Sequence, residues 1–157
     1  MLYRIAADLP GTLSIMARPL PLQGDLAAVK AAGVDTVISL LEPDEAAAAG
    51  IAAEADTCAA LGLIFLNHPV RDMQLPEPES FAGFAVQIAN RLLGGACISL
   101  HCYASIGRSG MLACTVLGHF GYTPDRALAH VSAQRGTAVP DTAAQAAFIH
   151  RIMTNRT

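Results

Sequence analysis

The chain has 157 residues, 53% of them hydrophobic, a formal net charge of −3 and a mean hydropathy of +0.42. That length suits one domain with a substantial core, and the charge offers no basic surface for nucleic acid or an anionic membrane. The longest weakly polar stretch, Leu92 to Tyr122, is cut by Arg108, and neither part reaches the roughly 18–20 apolar residues of a membrane span.

Near the start, Asp8 follows Arg4 closely and no long apolar core intervenes, so a signal peptide is not expected. The four cysteines, Cys58, Cys97, Cys102 and Cys114, show no metal-ligand spacing. With no export signal, a reducing cytoplasm is the expected location.

Tyr3–Ala6 and Leu13–Ala17 are short apolar pieces around Pro10-Gly11, which predicts a hairpin at a sheet edge. Pro19 and Pro21 break the chain. Leu26, Val29 and Ala32 then recur at helical spacing, with Gly33 as a stop. Val34–Leu41 is rich in β-branched residues and suits a buried strand. Glu42–Leu61 is alanine-rich and predicts a helix, since alanine is the best helix former. Ile51, Ala55, Cys58 and Leu61 share one face of it, Gly50 is a candidate break and Gly62 the end.

Leu63–Leu66 is the next strand, and Asn67–Pro78, with three prolines, is a loop. Phe81, Phe84, Ile88 and Leu92 stand at core spacing in a helix running from Pro78 to Gly94-Gly95. Ala96–Leu100 reads as a buried strand and Met111–Phe120 as a helix. Thr123-Pro124-Asp125 opens a further helix, with a capping hydroxyl and a proline in the first turn, carrying Ala127, Leu128 and Val131. Gln134–Pro140 is a loop, and Asp141-Thr142 caps a last helix with Ala146, Ile149 and Ile152 inward. Strands alternating with helices predict one α/β domain over 1–157. Its expected architecture is a three-layer sandwich with a central, mainly parallel sheet of roughly four to five strands flanked by helices.

The chemistry concentrates in Ser99-Leu100-His101-Cys102-Tyr103-Ala104-Ser105-Ile106-Gly107-Arg108-Ser109-Gly110. A short loop from a strand to a helix N-terminus aims free backbone N–H groups at one point, which favours an anion. A thiol placed there ionises more readily. Arg108 adds a planar fork matched to two phosphate oxygens. The alternative is a buried structural cysteine beside an unrelated arginine.

This stretch resembles the His-Cys-x5-Arg-Ser/Thr signature of the cysteine-dependent protein tyrosine phosphatases. His101, Cys102, Arg108 and Ser109 match it, and Gly107 and Gly110 fit its usual glycines. Ser105 departs from it, standing where many members carry glycine, which tolerates unusual backbone angles better. Over roughly residues 34–150 the chain resembles the dual-specificity-like branch. The resemblance implies a phosphotyrosine protein phosphatase-like fold and a phosphomonoester hydrolase working through a cysteinyl-phosphate. Cys102 is then the nucleophile. Arg108 and the backbone N–H groups of Tyr103, Ala104, Ser105, Ile106, Gly107 and Arg108 hold the phosphoryl oxygens. Ser109 assists the thiolate, and His101 fixes the loop by hydrogen bonding. Gln145 resembles the glutamine that positions the hydrolytic water, the alternative being a solvated helical glutamine. No metal or cofactor is expected, because Arg108 and the helix end supply the positive charge.

The leaving oxygen needs a proton. Asp8, Asp25, Asp44, Asp56, Asp125 and Asp141 stand at caps, turns or solvated faces. Asp72, within Pro69–Pro76, lies just past the C-terminal end of a predicted parallel strand, where open α/β sheets bind ligands. The resemblance agrees, since dual-specificity-like members place their acid aspartate on such a loop. The alternative is a solvated carboxylate. Arg71 and Arg135 either add charge at the pocket rim or pair with carboxylates, structural pairing being favoured for Arg135.

The five residues between Cys102 and Arg108 carry no charge, whereas phosphoinositide-directed relatives often place lysines there. A phosphorylated protein or peptide is therefore the expected partner, ahead of a small phosphoester or phosphoinositide. A catalytically weak phosphate-binding module is the alternative from another class. A sulfur carrier or arsenate reductase would need a second redox cysteine near Cys102. Cys97, roughly 16 Å away along an extended strand, does not suit that role, and Cys58 and Cys114 read as small core residues.

Overall fold

The computed structural model describes residues 1–155. Strands β1 (Tyr3–Ala6), β2 (Thr12–Met16), β3 (Thr36–Ser39), β4 (Ile64–Asn67) and β5 (Cys97–His101) form a five-stranded sheet in the order β1-β2-β5-β3-β4. Only the β1–β2 pair, the predicted hairpin, is antiparallel; β2, β5, β3 and β4 run parallel. β5 is central and its Ile98–His101 is buried, as expected of a strand covered on both faces. β4 is less buried than its neighbour β3 because it is an edge strand.

The register fixes where ligands can go. Met16 and Ser39 both stand opposite His101, so β2, β3 and β5 end together, and the signature loop leaves from that edge. At the other edge, Asp35 Oδ2 accepts the Cys97 N–H at 2.9 Å and holds β3 and β5 in step.

Helices cover both faces. Helix α1 (Leu22–Ala31) and α3 (Glu54–Ala60) pack Leu26, Val29 and Cys58 against Met16, Val37 and Leu63. Opposite them lie α4 (Pro78–Leu93), α5 (Arg108–Gly118), α6 (Pro124–Arg135) and α7 (Ala143–Thr154), whose Phe81, Ile88, Leu112, Val131, Phe148 and Ile149 join the larger core. Every residue of α5 is buried, which makes it the hub of that layer. The predicted helix over Glu42–Leu61 is two helices, α2 (Pro43–Ala48) and α3, because Gly50 adopts a left-handed φ of 80° between them. Among the described residues no helix is long and apolar enough to cross a membrane.

Gly11 is required at the hairpin turn. Its N–H bonds the Leu92 carbonyl at 2.9 Å, and a Cβ there would overlap the Ala96 carbonyl oxygen. The hairpin thereby docks on the turn between α4 and β5.

Candidate active site

The signature loop spans 102–107, between the last residue of β5 and the first of α5. Cys102 is 3% exposed at its base, and Tyr103 is 44% exposed at its rim. Tyr103 is held in place by Arg18, whose N–H bonds the Tyr103 carbonyl at 3.2 Å and whose guanidinium lies 3.8 Å from the ring centroid. The loop turns at Ser105, which is fully buried with a left-handed φ of 63°. That conformation costs a residue bearing a Cβ roughly 1–2 kcal/mol. Its hydroxyl accepts from Arg135 Nε at 2.9 Å, and the preceding Ala104 carbonyl accepts from Arg135 Nη2 at 3.1 Å. Hydrogen bonds from a charged donor are worth about 1.5–3 kcal/mol, enough to offset that cost. Arg135 is a structural residue, as expected, but it pairs with loop oxygens and not with a carboxylate.

Arg108 is 2% exposed. Its Nη1 donates to Glu45 Oε1 at 2.7 Å and to the Val70 carbonyl at 2.9 Å; its Nη2 donates to Glu45 Oε2 at 2.8 Å. Nη2 also lies 3.2 Å from Asp72 Oδ1. None of these contacts uses Nε, so one edge of the fork is fixed by protein and the other is left for a ligand. Burial opposes the guanidinium charge, but the Glu45 hydrogen bonds, nearby Cys102 and Asp72 outweigh it and hold the Arg108 pKa above its ordinary value. Asp72 itself is 61% exposed. The structure thus brings Cys102, Arg108 and Asp72 to one place from three elements.

Glu45 is a site residue that sequence reasoning missed. It stands in the first turn of α2, just after β3, at the same sheet edge as the signature loop. The available signal was chemical: an arginine heading into a buried helix needs a carboxylate.

His101 is fully buried. Nδ1 donates to the Cys102 carbonyl at 3.0 Å, and Nε2 lies 2.6 Å from Glu54 Oε2. The carbonyl can only accept, so Nδ1 carries a proton and a second proton lies in the bond to Glu54. This fixes the ring against the base of the loop. Glu54 is buried on α3 and was also missed, since an acidic residue in an alanine-rich helix reads as solvated. Burial, with Glu54 beside it, pushes the Cys58 thiol up to about 12, and burial alone does the same for Cys114. All four cysteines are free.

Gln145 is buried and forms the capping box of α7. Its Oε1 accepts from the backbone N–H groups of Asp141 and Thr142 at 3.0 and 3.1 Å. That occupies both lone-pair directions of its amide oxygen, while Nε2 has no partner among the described residues. A Cβ on Gly107 would lie 3.0 Å from Nε2 and would overlap Asp141 Oδ2, so both side chains press on the loop. Ser109 Oγ is buried with no hydrogen-bond partner among the described residues, leaving it able to donate within the site. Glu42, Asp44, Glu45, Arg71 and Asp72 line a cleft alongside, with Arg71 only 3.9 Å from Glu42 at an exposed position. No cluster of metal-ligating side chains occurs among the described residues.

Solved structures share this fold. Kinase-associated phosphatase with its catalytic cysteine replaced by serine aligns at a TM-score of 0.89 and 19% identity, covering 99% of this chain and 94% of that one. The active form of Tk-PTP gives 0.79 at 24% identity, covering 98% of each chain. PTPMT1 gives 0.80 at 18%, covering 99% of this chain and 95% of that one, and it has also been crystallised with PI(5)P. No curated protein matches the chain in sequence. A sequence profile described as the DSP-PTPase phosphatase of polymorphic toxin systems matches residues 13–121. With that profile running from β2 past the end of α5 and enclosing the whole signature loop, the chain belongs to the DSP-PTPase phosphatases, a dual-specificity-like family of cysteine-dependent phosphatases.

Proposed function

We propose that this chain, acting as one domain, removes phosphate from phosphorylated proteins or peptides in two steps through a phosphorylated Cys102. The observation that carries the reading is Arg108, buried and fixed on one edge by Glu45, with Cys102 and Asp72 beside it. The Cys102 thiolate attacks phosphorus, the P–O bond to the leaving group breaks, and the Asp72 carboxyl gives its proton to the departing oxygen. Water then attacks the thiophosphate, Asp72 takes a proton from it, and the P–S bond breaks. Arg108 Nε and the N–H groups of the loop residues Tyr103 to Arg108 hold the three oxygens through both transition states. The Ser109 hydroxyl donates to the thiolate, His101 and Gln145 hold the loop, and the positive charge comes from Arg108 and the end of α5 with no metal.

The mouth supports a phosphoprotein substrate. The side chains between Cys102 and Arg108 are uncharged, and in the adjoining cleft Glu42, Asp44, Glu45 and Asp72 outnumber the single cation Arg71. That field repels a headgroup bearing several phosphates, whereas exposed Tyr103 offers an aromatic ring a face. A lipid or small phosphoester is the second reading, favoured by the likeness to PTPMT1 and its PI(5)P complex. The cytoplasm is the compartment that keeps such a thiol reduced.

Phosphotyrosine and phosphoserine/threonine peptides, monophosphorylated phosphoinositides and small phosphoesters, assayed side by side, test this. Peptides should turn over fastest, chelator should not matter, and Cys102→Ser should be inactive yet still bind vanadate. Faster turnover of phosphoinositide would move the substrate to lipid, and an active Cys102→Ser would overturn the mechanism.

A further inference from the structure

We propose that Arg135 is a positioning residue of the phosphate cradle, holding the left-handed turn at Ser105 that aims the loop N–H groups inward. The inference rests on the phosphatase reading of the loop and concerns how the cradle keeps its shape.

In a trans peptide the C=O and the following N–H point in opposite directions. Arg135 Nη2 binds the Ala104 carbonyl from outside the loop, so the Ser105 N–H of that same peptide is directed the other way, toward the cradle. Arg135 Nε binds the Ser105 hydroxyl, so the one group on Ser105 free to rotate is also tied to the same guanidinium. A left-handed residue within such a turn is what lets successive N–H groups converge on an anion. With a side chain at that position, the turn competes with right-handed conformations that would scatter those N–H groups.

The brace has a rigid base. Arg135 is in the last turn of α6, which ends at Gly136 in a left-handed cap. Its guanidinium lies 4.2 Å from the centroid of Tyr3 in β1. The chain after it packs on the loop and on the first turn of α5: Val139 fills the space a Cβ on Gly110 would take, and Asp141 and Gln145 fill that at Gly107. Arg135 spends both of its loop bonds on oxygens of the loop itself, so its effect passes through the shape of the loop and not through contact with substrate.

A double-mutant cycle on oxyanion binding separates this from plain fold support. Tungstate affinity of the full chain is measured by calorimetry, with the melting temperature taken for each variant. Arg135→Met should weaken tungstate roughly 10–100-fold. On a Ser105→Gly background, where glycine adopts the turn unaided, the same change should cost about threefold or less. Arg135→Lys, which keeps the charge and the stem, should show the same contrast at smaller size and serves if the methionine variant does not fold. Equal losses on both backgrounds, or no loss at all, would overturn the proposal. Tungstate binding needs no turnover. An active Cys102→Ser would therefore sink the mechanism without touching the contrast, and a failed contrast with Cys102→Ser inactive would remove only the brace.

Discussion

Arg108 spends three of its five N–H groups on Glu45 and Val70, with Asp72 a further 3.2 Å ion-pair neighbour of Nη2, and this decides what a substitution there should do. Lysine has the charge but neither the plane nor the fork. Arg108→Lys cannot satisfy Glu45 and a phosphate together, and kcat/KM should fall about 10²–10³-fold; steady-state kinetics near wild type would show that the guanidinium does not hold phosphate. Glu45→Gln keeps the shape and removes the charge that balances Arg108. Asp72 then becomes the main anionic partner of Arg108 and competes with substrate, so KM should rise roughly tenfold, with a smaller change in kcat. Asp72→Asn probes proton transfer. A tyrosine leaving group, with a pKa near 10, needs the proton, and a nitrophenolate scarcely does. The loss should be about 10²–10⁴-fold on phosphotyrosine and clearly smaller on nitrophenyl phosphate; equal small losses would remove Asp72 from the mechanism. Cys102 and Arg108 were legible because one contiguous loop carries both. Glu45 was not, because its partner lies 63 residues away in sequence and only the parallel register of β3 and β5 brings them together.

At the scale of elements, the same helix pattern that predicts α4, α6 and α7 also reads helix over Glu42–Leu61 with Gly50 as the candidate break. Alanine favours helix throughout, but it cannot report that Gly50 turns left-handed or that Glu54 is turned inward onto His101. Burial of an acid is settled by its partner, and the partner comes from another element. Two glycines report how elements dock. Gly110 lets α5 pass beneath Val139, and Gly11 lets the hairpin pass Ala96. Gly110→Ala meets a stiff β-branched side chain and should cost roughly 1–3 kcal/mol, a fall of several degrees in melting temperature. Gly110→Ala combined with Val139→Ala should recover part of it, because the obstacle is a side chain. Gly11→Ala meets backbone, and trimming a neighbouring side chain should not rescue it. Calorimetric melting of these variants against the wild type decides the matter, and recovery in neither or both cases would contradict these contacts.

For the whole molecule, alternation of strand and helix was enough to predict the layered α/β architecture, since a parallel strand needs a crossover to return. Composition could not say how the assembled core responds to acid, because that depends on which titratable groups folding removes from water. His68 stacks on Phe84 with ring centroids 4.7 Å apart and lies edge-on to Phe81 at 6.0 Å. Burial there lowers its pKa from 6.5. The unfolded chain therefore binds a proton below about pH 6.5 that the folded chain resists, and folding stability must fall as pH drops through that value. Glu77 acts in the same direction lower down. Hydrogen bonds from the backbone N–H groups of Ser80 and Glu79 hold its pKa below 4.5, so its capping of α4 is lost as pH falls past that point. Two acid windows follow, and His68→Leu removes only the upper one. The melting temperature of the wild type should decline between pH 7.5 and 5.5 more steeply than that of His68→Leu. Parallel curves across the whole range would show that His68 titrates equally well in the folded and unfolded chains.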